Sequence, residues 1–225
     1  MKRVVLATLL GTLAVTPVPA QSPEGWMARI DRSTNASDPD AAGDVRFTTI
    51  PGGYHAVNPA AAIFYNPANS ATGSYAVKGT FKLMEPSPHV NYYGLIFGGS
   101  ELDGSEQTYL YFLVAQNGTF TIRRRAGDRL PDPNAPARGG RGPVANTEDI
   151  ASRVAHAAVR QPGADGTSEN ALEVRVKADS IDFVVNGAVV HTAPKTGTTA
   201  LTDGIAGIRV NHQLNVQITG FEVTK

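Results

Sequence analysis

Apolar and polar residues alternate along several stretches of this 225-residue chain, as they do in antiparallel strands that bury one face. The alternation is clearest at residues 171–177, where Leu and Val are separated by Glu and Arg, and at residues 75–83. No stretch carries the 3.6-residue apolar period of a long amphipathic helix. The pattern therefore predicts an all-β fold, a two-sheet antiparallel β-sandwich.

An Asn-Gly pair at residues 186–187 predicts a tight hairpin, because both central positions of a type I′ turn need the positive φ that Asn and Gly tolerate. With these two residues as the loop, counting outwards along the strands fixes the register. Phe183 is then predicted opposite Val190, and Asp182 opposite His191. The second pair is a candidate acid/base dyad, although an ordinary cross-strand pair at a sheet margin is the favoured interpretation.

A second Asn-Gly pair, at residues 117–118, predicts another hairpin with a two-residue loop. Counting out from Gln116 opposite Thr119 pairs Leu113 with Ile122. This register decides which side chains share a face, because neighbouring residues of a strand point to opposite sides.

The two faces of the second hairpin are assigned by their apolar content. Phe120 and Ile122 need burial, so their face is predicted to be core. The opposite face, with Phe112, Thr121 and Arg123, is then open to solvent. Because it mixes apolar and polar groups, we predict a binding groove on it.

Glycines mark two further strands. Gly94 and Gly98 share a strand face with Tyr92, and since a glycine inside a strand often marks a close approach to the backbone, we expect them to leave room on the groove floor. The last strand can keep its apolar residues on one face only through a bulge near Gly220.

The first 20 residues have the pattern of a secretory signal peptide. Lys2 and Arg3 precede an apolar run that ends at Val15, and small residues up to Ala20 offer a cleavage site. The apolar run is too short to span a bilayer, and no later segment approaches the roughly 20 apolar residues of a transmembrane helix. We therefore predict an exported protein, periplasmic or extracellular.

The remainder, residues 21–225, is predicted to be a single β-sandwich domain with a flexible, Pro- and Gly-rich loop region at about 126–170. The chain has no cysteine, so it has no disulfide and no thiolate metal site. Lys and Arg total 20, as do Asp and Glu. This balance gives no electrostatic support for a nucleic-acid partner or an anionic membrane.

Five stretches carry a resemblance to a known fold family. They are GTFKL, NYYGLIFGG, TYLYFLVAQNGTFTIRRR, NALEVRVKADSIDFVVNGAVVH and DGIAGIRVNHQLNVQITGFEV, and they cover the chain from about Tyr75 to its end. Their order resembles the concanavalin A-like jelly rolls, and most closely the 3-keto-disaccharide hydrolase-like (family 16 glycosidase-like) domains of exported bacterial proteins. The resemblance implies a jelly-roll β-sandwich with a concave face that tends to hold sugar.

We therefore predict a carbohydrate-recognition domain that binds a glycan on the concave sheet face. Aromatic rings there would stack on sugar rings, and arginines would hydrogen-bond to hydroxyls or to a carboxylate. The candidate ligand-binding residues are Tyr92, Phe112, Arg123, Arg209 and Asn211.

The resemblance leaves a second hypothesis open, a hydrolase acting on a glycoside or a 3-keto-glycoside. Its candidate acids and bases are Glu101, Asp103, Glu106 and His212. The first three resemble the E-x-D-x-x-E signature of retaining family 16 glycosidases, but the glycines around them favour a solvated loop. A third hypothesis is a non-sugar envelope or adhesion module.

The polar stretch near the start of the predicted domain holds three carboxylates, Asp38, Asp40 and Asp44. Carboxylate oxygens are the ligands that calcium prefers, so these residues are a candidate calcium site. The stretch lacks the ligand spacing of a known calcium loop, and a polar loop without metal is the favoured interpretation.

Overall fold

The computed structural model describes residues 22–33, 35–127 and 147–225. The predicted signal peptide lies outside these residues, and so does the part of the predicted loop region between residues 128 and 146. Within the rest of that region, residues 147–155 form a strand. None of the described residues forms a helix long and apolar enough to cross a membrane.

The described residues form fourteen strands and one 3₁₀ turn, Gly197–Thr199. In chain order the strands are β1 (Met27–Asp31), β2 (Arg46–Ile50), β3 (Gly53–Asn58), β4 (Ala61–Ala71), β5 (Tyr75–Glu85), β6 (Tyr92–Ser100), β7 (Thr108–Ala115), β8 (Thr119–Ala126), β9 (Thr147–Ala155), β10 (Ser168–Val176), β11 (Ser180–Val185), β12 (Ala188–Pro194), β13 (Gly204–Val210) and β14 (Leu214–Thr224).

These strands make two seven-stranded antiparallel sheets. The front sheet has the order β1-β4-β13-β6-β7-β8-β9, and the back sheet has the order β12-β11-β10-β5-β14-β3-β2. Many neighbours are far apart in sequence, as in the jelly-roll arrangement of a β-sandwich. The all-β, two-sheet prediction is therefore confirmed.

The core lies between the two sheets and is dominated by aromatic and β-branched side chains. The front sheet contributes Phe64, Phe97 and Phe112, and the back sheet contributes Phe81 and Phe183; all five are fully buried. The Phe112 ring packs edge-to-face against Phe183 with ring centroids 5.3 Å apart, an arrangement favoured by the ring quadrupoles.

The hairpin at residues 186–187 has the predicted turn but not the predicted register throughout. Val185 pairs with Ala188 as expected, and a bulge then follows between Phe183 and Val184. Because a bulge adds one residue to one strand, Phe183 pairs with His191 and not with Val190.

The bulge also removes the predicted Asp182–His191 dyad. Asp182 pairs with Thr192 and accepts a 2.8 Å hydrogen bond from its hydroxyl. Lys177 forms an ion pair with the same carboxylate. The prediction that Asp182 lies opposite His191 was therefore wrong.

The register predicted for the hairpin between β7 and β8 was wrong by one residue. Its loop contains three residues, 116–118, and Gly118 has φ 78°. A three-residue hairpin loop with a glycine in the left-handed region is common. Phe112 consequently pairs with Ile122, and Leu113 pairs with Thr121. A slip of one residue exchanges the two faces of a strand, so Phe112 lies in the core, fully buried.

The bulge predicted near Gly220 is confirmed. The pairing of β14 with β5 shifts between Thr219 and Glu222, and Gly220 has φ 60°. This position suits glycine, because other residues rarely adopt a positive φ.

Candidate functional site

The outer face of the front sheet is built from large side chains. They form a second apolar cluster, separate from the core, made of Ile63, Tyr65, Tyr92, Ile96, Leu102, Tyr109, Tyr111, Leu113 and Ala115. A groove of about 370 Å³ lies against this face. We call it the front groove; its walls include Tyr92, Tyr111, Arg123, Arg209 and His212.

Cross-strand pairing explains why tyrosines and arginines stand together in the front groove. Tyr111 of β7 pairs with Arg123 of β8, and Tyr109 pairs with Arg125 two positions further along. Directly paired residues project from the same face of a sheet. The pairing therefore sets a row of aromatic rings beside a row of guanidinium groups.

Arg209 is the best-fixed polar group of the groove. Its Nη1 donates to Asp31 Oδ2 at 3.0 Å and to the Tyr109 hydroxyl at 2.7 Å, and its Nε donates to Asn211 Oδ1 at 3.1 Å. The Tyr111 ring lies 5.6 Å from the guanidinium carbon, within the range of a cation–π contact. These contacts hold the planar guanidinium in one orientation.

Asp31 lies among several guanidinium groups. Arg29 Nε is 3.5 Å from one of its carboxylate oxygens, and Arg125 Nη1 is 3.7 Å from the other. Burial by itself raises the pKa of Asp31, but Arg209 and Arg125 outweigh it and hold the pKa below its ordinary 3.8. Asp31 is therefore ionised at neutral pH, as a buried partner of arginine should be.

Tyr109 contributes the buried hydroxyl of this network. Burial raises the pKa of Tyr109, although Arg209 acts in the opposite direction. The phenol thus stays protonated at neutral pH and can donate a hydrogen bond while it accepts one from Arg209.

Four of the five residues predicted to bind ligand line the front groove. Tyr92 and Arg123 lie on β6 and β8, Arg209 lies near the end of β13, and Asn211 directly follows that strand. The fifth, Phe112, does not, because the corrected register places it in the core.

The sequence analysis missed Tyr111 for the same reason that it misplaced Phe112. The two residues are neighbours on β7, and a one-residue error in register exchanges them. Choosing a three-residue loop at residues 116–118 would have assigned both correctly.

The predicted role of Gly94 and Gly98 in the groove was wrong. A Cβ at Gly94 would lie 2.4 Å from the Phe112 carbonyl oxygen and 2.9 Å from Leu172 in the core, and one at Gly98 would lie 3.0 Å from the Leu201 carbonyl oxygen. These glycines thus permit close packing of the protein's own backbone.

Arg123 is held at the side of the groove by β9. It forms an ion pair with Asp149, and its Nη2 donates to Ser152 Oγ at 2.9 Å. The arginine side chain keeps 27% of its surface exposed. It can therefore contact a ligand without breaking the front sheet.

One rim of the front groove is formed by a cluster of ionisable side chains. His212 Nδ1 lies 3.3 Å from Asp40 Oδ1, and its Nε2 lies 3.4 Å from Asp38 Oδ1. His89 Nε2 lies 3.0 Å from His212 Nε2 and 3.1 Å from Asp38 Oδ1. Asp44, the third predicted calcium ligand, is exposed and lines a different surface depression.

No sequence pattern pointed to His89. It lies between β5 and β6, whereas Asp38 follows β1 and His212 follows β13. Only the jelly-roll connections bring these three segments to one end of the sandwich, so the cluster cannot be found from spacing along the chain.

The string Glu101 to Glu106 forms the predicted loop between β6 and β7. Glu101 has φ 52°, and the Gly104 amide donates to its carbonyl at 2.9 Å, which closes a turn. Glu101, Asp103 and Glu106 are exposed and stand outside the front groove. Their catalytic role stays a prediction, without support from the groove geometry.

Comparison of the fold with solved structures finds jelly-roll sandwiches. The carbohydrate-binding module CBM66 of Bacillus subtilis matches with a TM-score of 0.55 at 9% sequence identity, over 92% of this chain and 100% of that one. The CBM2 module of the evolved Dit protein of Lactobacillus casei BL23 phage J-1 matches with a TM-score of 0.48 at 10% identity, over 88% and 89% of the two chains. Sheep galectin-11 gives a TM-score of 0.43 at 14% identity, over 78% and 99%.

These identities are low, so the first match establishes a shared fold and the other two add no argument. No family model matches the sequence, and a search of curated proteins finds no match. The jelly-roll part of the sequence resemblance is thus confirmed, whereas the match to the 3-keto-disaccharide hydrolase-like domains is not shown.

Proposed function

We propose that this chain is an exported carbohydrate-recognition domain that binds a glycan in the front groove. One observation carries the proposal: aromatic rings and firmly held hydrogen-bonding groups meet in a single groove on a rigid sheet. The groove volume of about 370 Å³ falls in the range typical of small-ligand sites.

The groove chemistry suits a sugar ring. A pyranose has an apolar face of C–H groups, which packs against an aromatic ring, and a rim of hydroxyls, which need donors and acceptors. Tyr92 and Tyr111 supply the rings, and Arg123, Arg209 and Asn211 supply polar atoms beside them. The carbohydrate-binding name of the Bacillus subtilis module is consistent with this proposal.

Preorganisation strengthens the case. Arg209 is 7% exposed and already oriented by Asp31, Tyr109 and Asn211. A donor that is fixed before binding loses little conformational entropy when the ligand arrives, so more of its hydrogen-bond energy appears as affinity.

The test is an array of defined oligosaccharides probed with the purified chain, followed by calorimetry on the strongest hit. Arg123→Ala should weaken binding about 10-fold, which corresponds to the loss of one charge-assisted hydrogen bond. The matched control is Arg175→Ala, which removes an arginine that is also paired with a neighbouring carboxylate, but on the back sheet. It should bind like the wild type.

Two results would contradict the proposal. One is a folded wild-type protein that binds no glycan on the array. The other is equal loss of affinity in both arginine variants, because the contact would then not depend on the front groove.

A second candidate is the hydrolase suggested by the sequence resemblance. The observation that favours it is the contact of His212 Nδ1 with Asp40 at the groove rim, since a carboxylate that orients an imidazole is a common arrangement for a general base. Incubation with glycosides and their 3-keto derivatives should then release sugar, and His212→Gln should abolish release. Binding without turnover would leave recognition as the function.

The third hypothesis, a non-sugar adhesion module, needs a contiguous exposed apolar patch. The large exposed apolar side chains of the described residues are distributed over several elements, namely Met27, Ile30, Val90, Val154, Val189 and Leu201. No specific observation favours this hypothesis over the first two.

A further inference from the structure

Three connections meet at one end of the sandwich and bring nitrogen and oxygen ligands together. Asp38 comes from the connection between β1 and β2, His89 from the one between β5 and β6, and His212 from the turn between β13 and β14. Both histidines present Nε2 to the shared space, and Asp38 presents Oδ1. One imidazole, that of His212, is buried.

The three atoms have the spacing of ligands around one metal ion. They form a triangle with sides of 3.0, 3.1 and 3.4 Å, whose corners lie about 1.8 Å from its centre. Zinc–nitrogen bonds are about 2.0–2.1 Å and zinc–carboxylate bonds about 2.0–2.2 Å. An ion at these distances would stand just above the triangle, as in a tetrahedral site with three protein ligands.

Hydrogen bonds alone satisfy this arrangement poorly. If His212 donates from Nδ1 to Asp40, its neutral form leaves a lone pair on Nε2, which then faces Asp38 and the Nε2 of His89. Asn91 Nδ2 lies 3.0 Å from His89 Nε2, and because an amide nitrogen can only donate, His89 Nε2 accepts in this contact and has no proton to share. Three electron-rich atoms then meet without a proton between them. A cation between the three atoms removes this repulsion.

A second layer of contacts holds the cluster in place. Asp40 contacts His212 Nδ1 through Oδ1 and accepts a 2.9 Å hydrogen bond from the Ser33 amide through Oδ2. Ser33 Oγ also donates to the Asp38 carbonyl at 2.7 Å. A carboxylate behind a histidine, fixed in turn by further hydrogen bonds, is the usual support of a metal-binding imidazole.

We propose that Asp38, His89 and His212 bind one divalent transition-metal ion, with Zn²⁺ as the first candidate, and that Asp40 is a positioning residue behind His212. Two imidazoles and one carboxylate suit zinc, whereas calcium prefers oxygen ligands throughout. The site therefore differs from the calcium site predicted from Asp38, Asp40 and Asp44: it omits Asp44 and recruits the two histidines.

The site also borders the front groove. Asp38, His89 and His212 all line the front groove, so a remaining coordination position would point into it. That position would take a water or one sugar hydroxyl. This last step rests on the proposed glycan binding, whereas the metal site itself does not.

The test measures metal binding directly, without any sugar. The purified chain is stripped with a chelator and titrated with Zn²⁺ by calorimetry at neutral pH, and bound Co²⁺ is followed by its visible absorption. We expect one ion per chain with a dissociation constant of about 1 µM or lower. His89→Ala and His212→Ala should each weaken binding at least 100-fold, and the Co²⁺ spectrum should change in both.

Two further variants sharpen the result. Asp40→Asn should weaken binding by roughly 10- to 100-fold, the usual effect of losing a supporting carboxylate. His55→Ala is the matched control, because His55 contacts Asn215 on the back sheet at 2.7 Å and lies outside the cluster. It should bind Zn²⁺ like the wild type.

Circular dichroism establishes whether each variant is folded. If a histidine variant does not fold, Asp38→Asn replaces it in the Zn²⁺ titration, because the Asp38 side chain is 43% exposed. The proposal is overturned if folded wild type binds no Zn²⁺. It is also overturned if the histidine variants bind as the wild type does, or if Ca²⁺ binds and Zn²⁺ does not. Failure of glycan binding would leave all these readouts unchanged.

Discussion

The two sheets of the sandwich share one core but differ in their outer faces. In the back sheet, β5 and β10 alternate between buried and more exposed residues, so the outer face meets solvent. In the front sheet, all but the last residue of β6 and all but the first of β7 are buried on both faces. The centre of the front sheet is thus covered by its own tyrosine, aliphatic and arginine side chains.

This difference indicates which outer face can bind a ligand at the lower cost in ordering and desolvation. The outer face of the back sheet carries flexible, hydrated groups such as Lys78 and Glu222, whose side chains are about half exposed. The outer face of the front sheet carries aromatic rings and guanidinium groups that are already desolvated and paired, as Arg209 is with Asp31. Groups of the second kind bind ligands with a smaller ordering and desolvation cost.

The largest expected effect on stability comes from a substitution in the core that the two sheets share. Phe112→Ala should lower the free energy of unfolding by about 3–5 kcal/mol, because it leaves a cavity beside Phe120 and Phe183. Urea denaturation measures the change. A loss below about 1 kcal/mol would mean that Phe112 is not buried and that the register observed for β7 is wrong.

The next effect concerns the charge network under the front groove. Asp31→Asn should lower the free energy of unfolding at neutral pH by about 3 kcal/mol, since it leaves buried Arg209 without its carboxylate. Because the folded pKa of Asp31 lies below its ordinary 3.8, its stabilisation is complete above that pH and is lost as the pH falls through the folded pKa.

Acid titration of stability checks this sign. The wild type should lose stability below about pH 4, and Asp31→Asn should lose less over the same window. Parallel curves for the two proteins would show that Asp31 does not carry the acid sensitivity.

The smallest effect should come from the outer face of the back sheet. Lys78→Ala removes a 3.0 Å ion pair with Glu222, but solvent screens exposed pairs, so stability should change by no more than about 0.5 kcal/mol. Glycan affinity should not change. A clear loss of glycan affinity in this variant would indicate that the glycan binds on the back sheet.

Much of the fold could be predicted from the sequence because strand alternation and turn residues are local signals. The two-sheet architecture, the turn at residues 186–187 and the bulge near Gly220 all follow from them. Loop length is a weaker signal, since an Asn-Gly pair fits either a two-residue loop or the end of a three-residue one. The hairpin between β7 and β8 adopts the second form, and Phe112 was misplaced as a result.

The site was predicted only in part, because it depends on contacts between distant segments. Tyr92, Arg123 and Arg209 were found because each lies on a strand with a readable face. Asp31 and His89 were missed, since nothing near them in sequence shows that they face Arg209 and His212, respectively. Pairings of that kind appear only when the sheet order is known.

The central claim is that glycan binds on the outer face of the front sheet. Its most direct test is an NMR titration of the labelled chain with the strongest oligosaccharide from the array, followed through backbone amide shifts. The claim predicts that the shifted amides cluster on β6, β7, β8 and β13 around Tyr92, Tyr111 and Arg209. Shifts confined to the back sheet, with those strands unchanged at saturation, would contradict it.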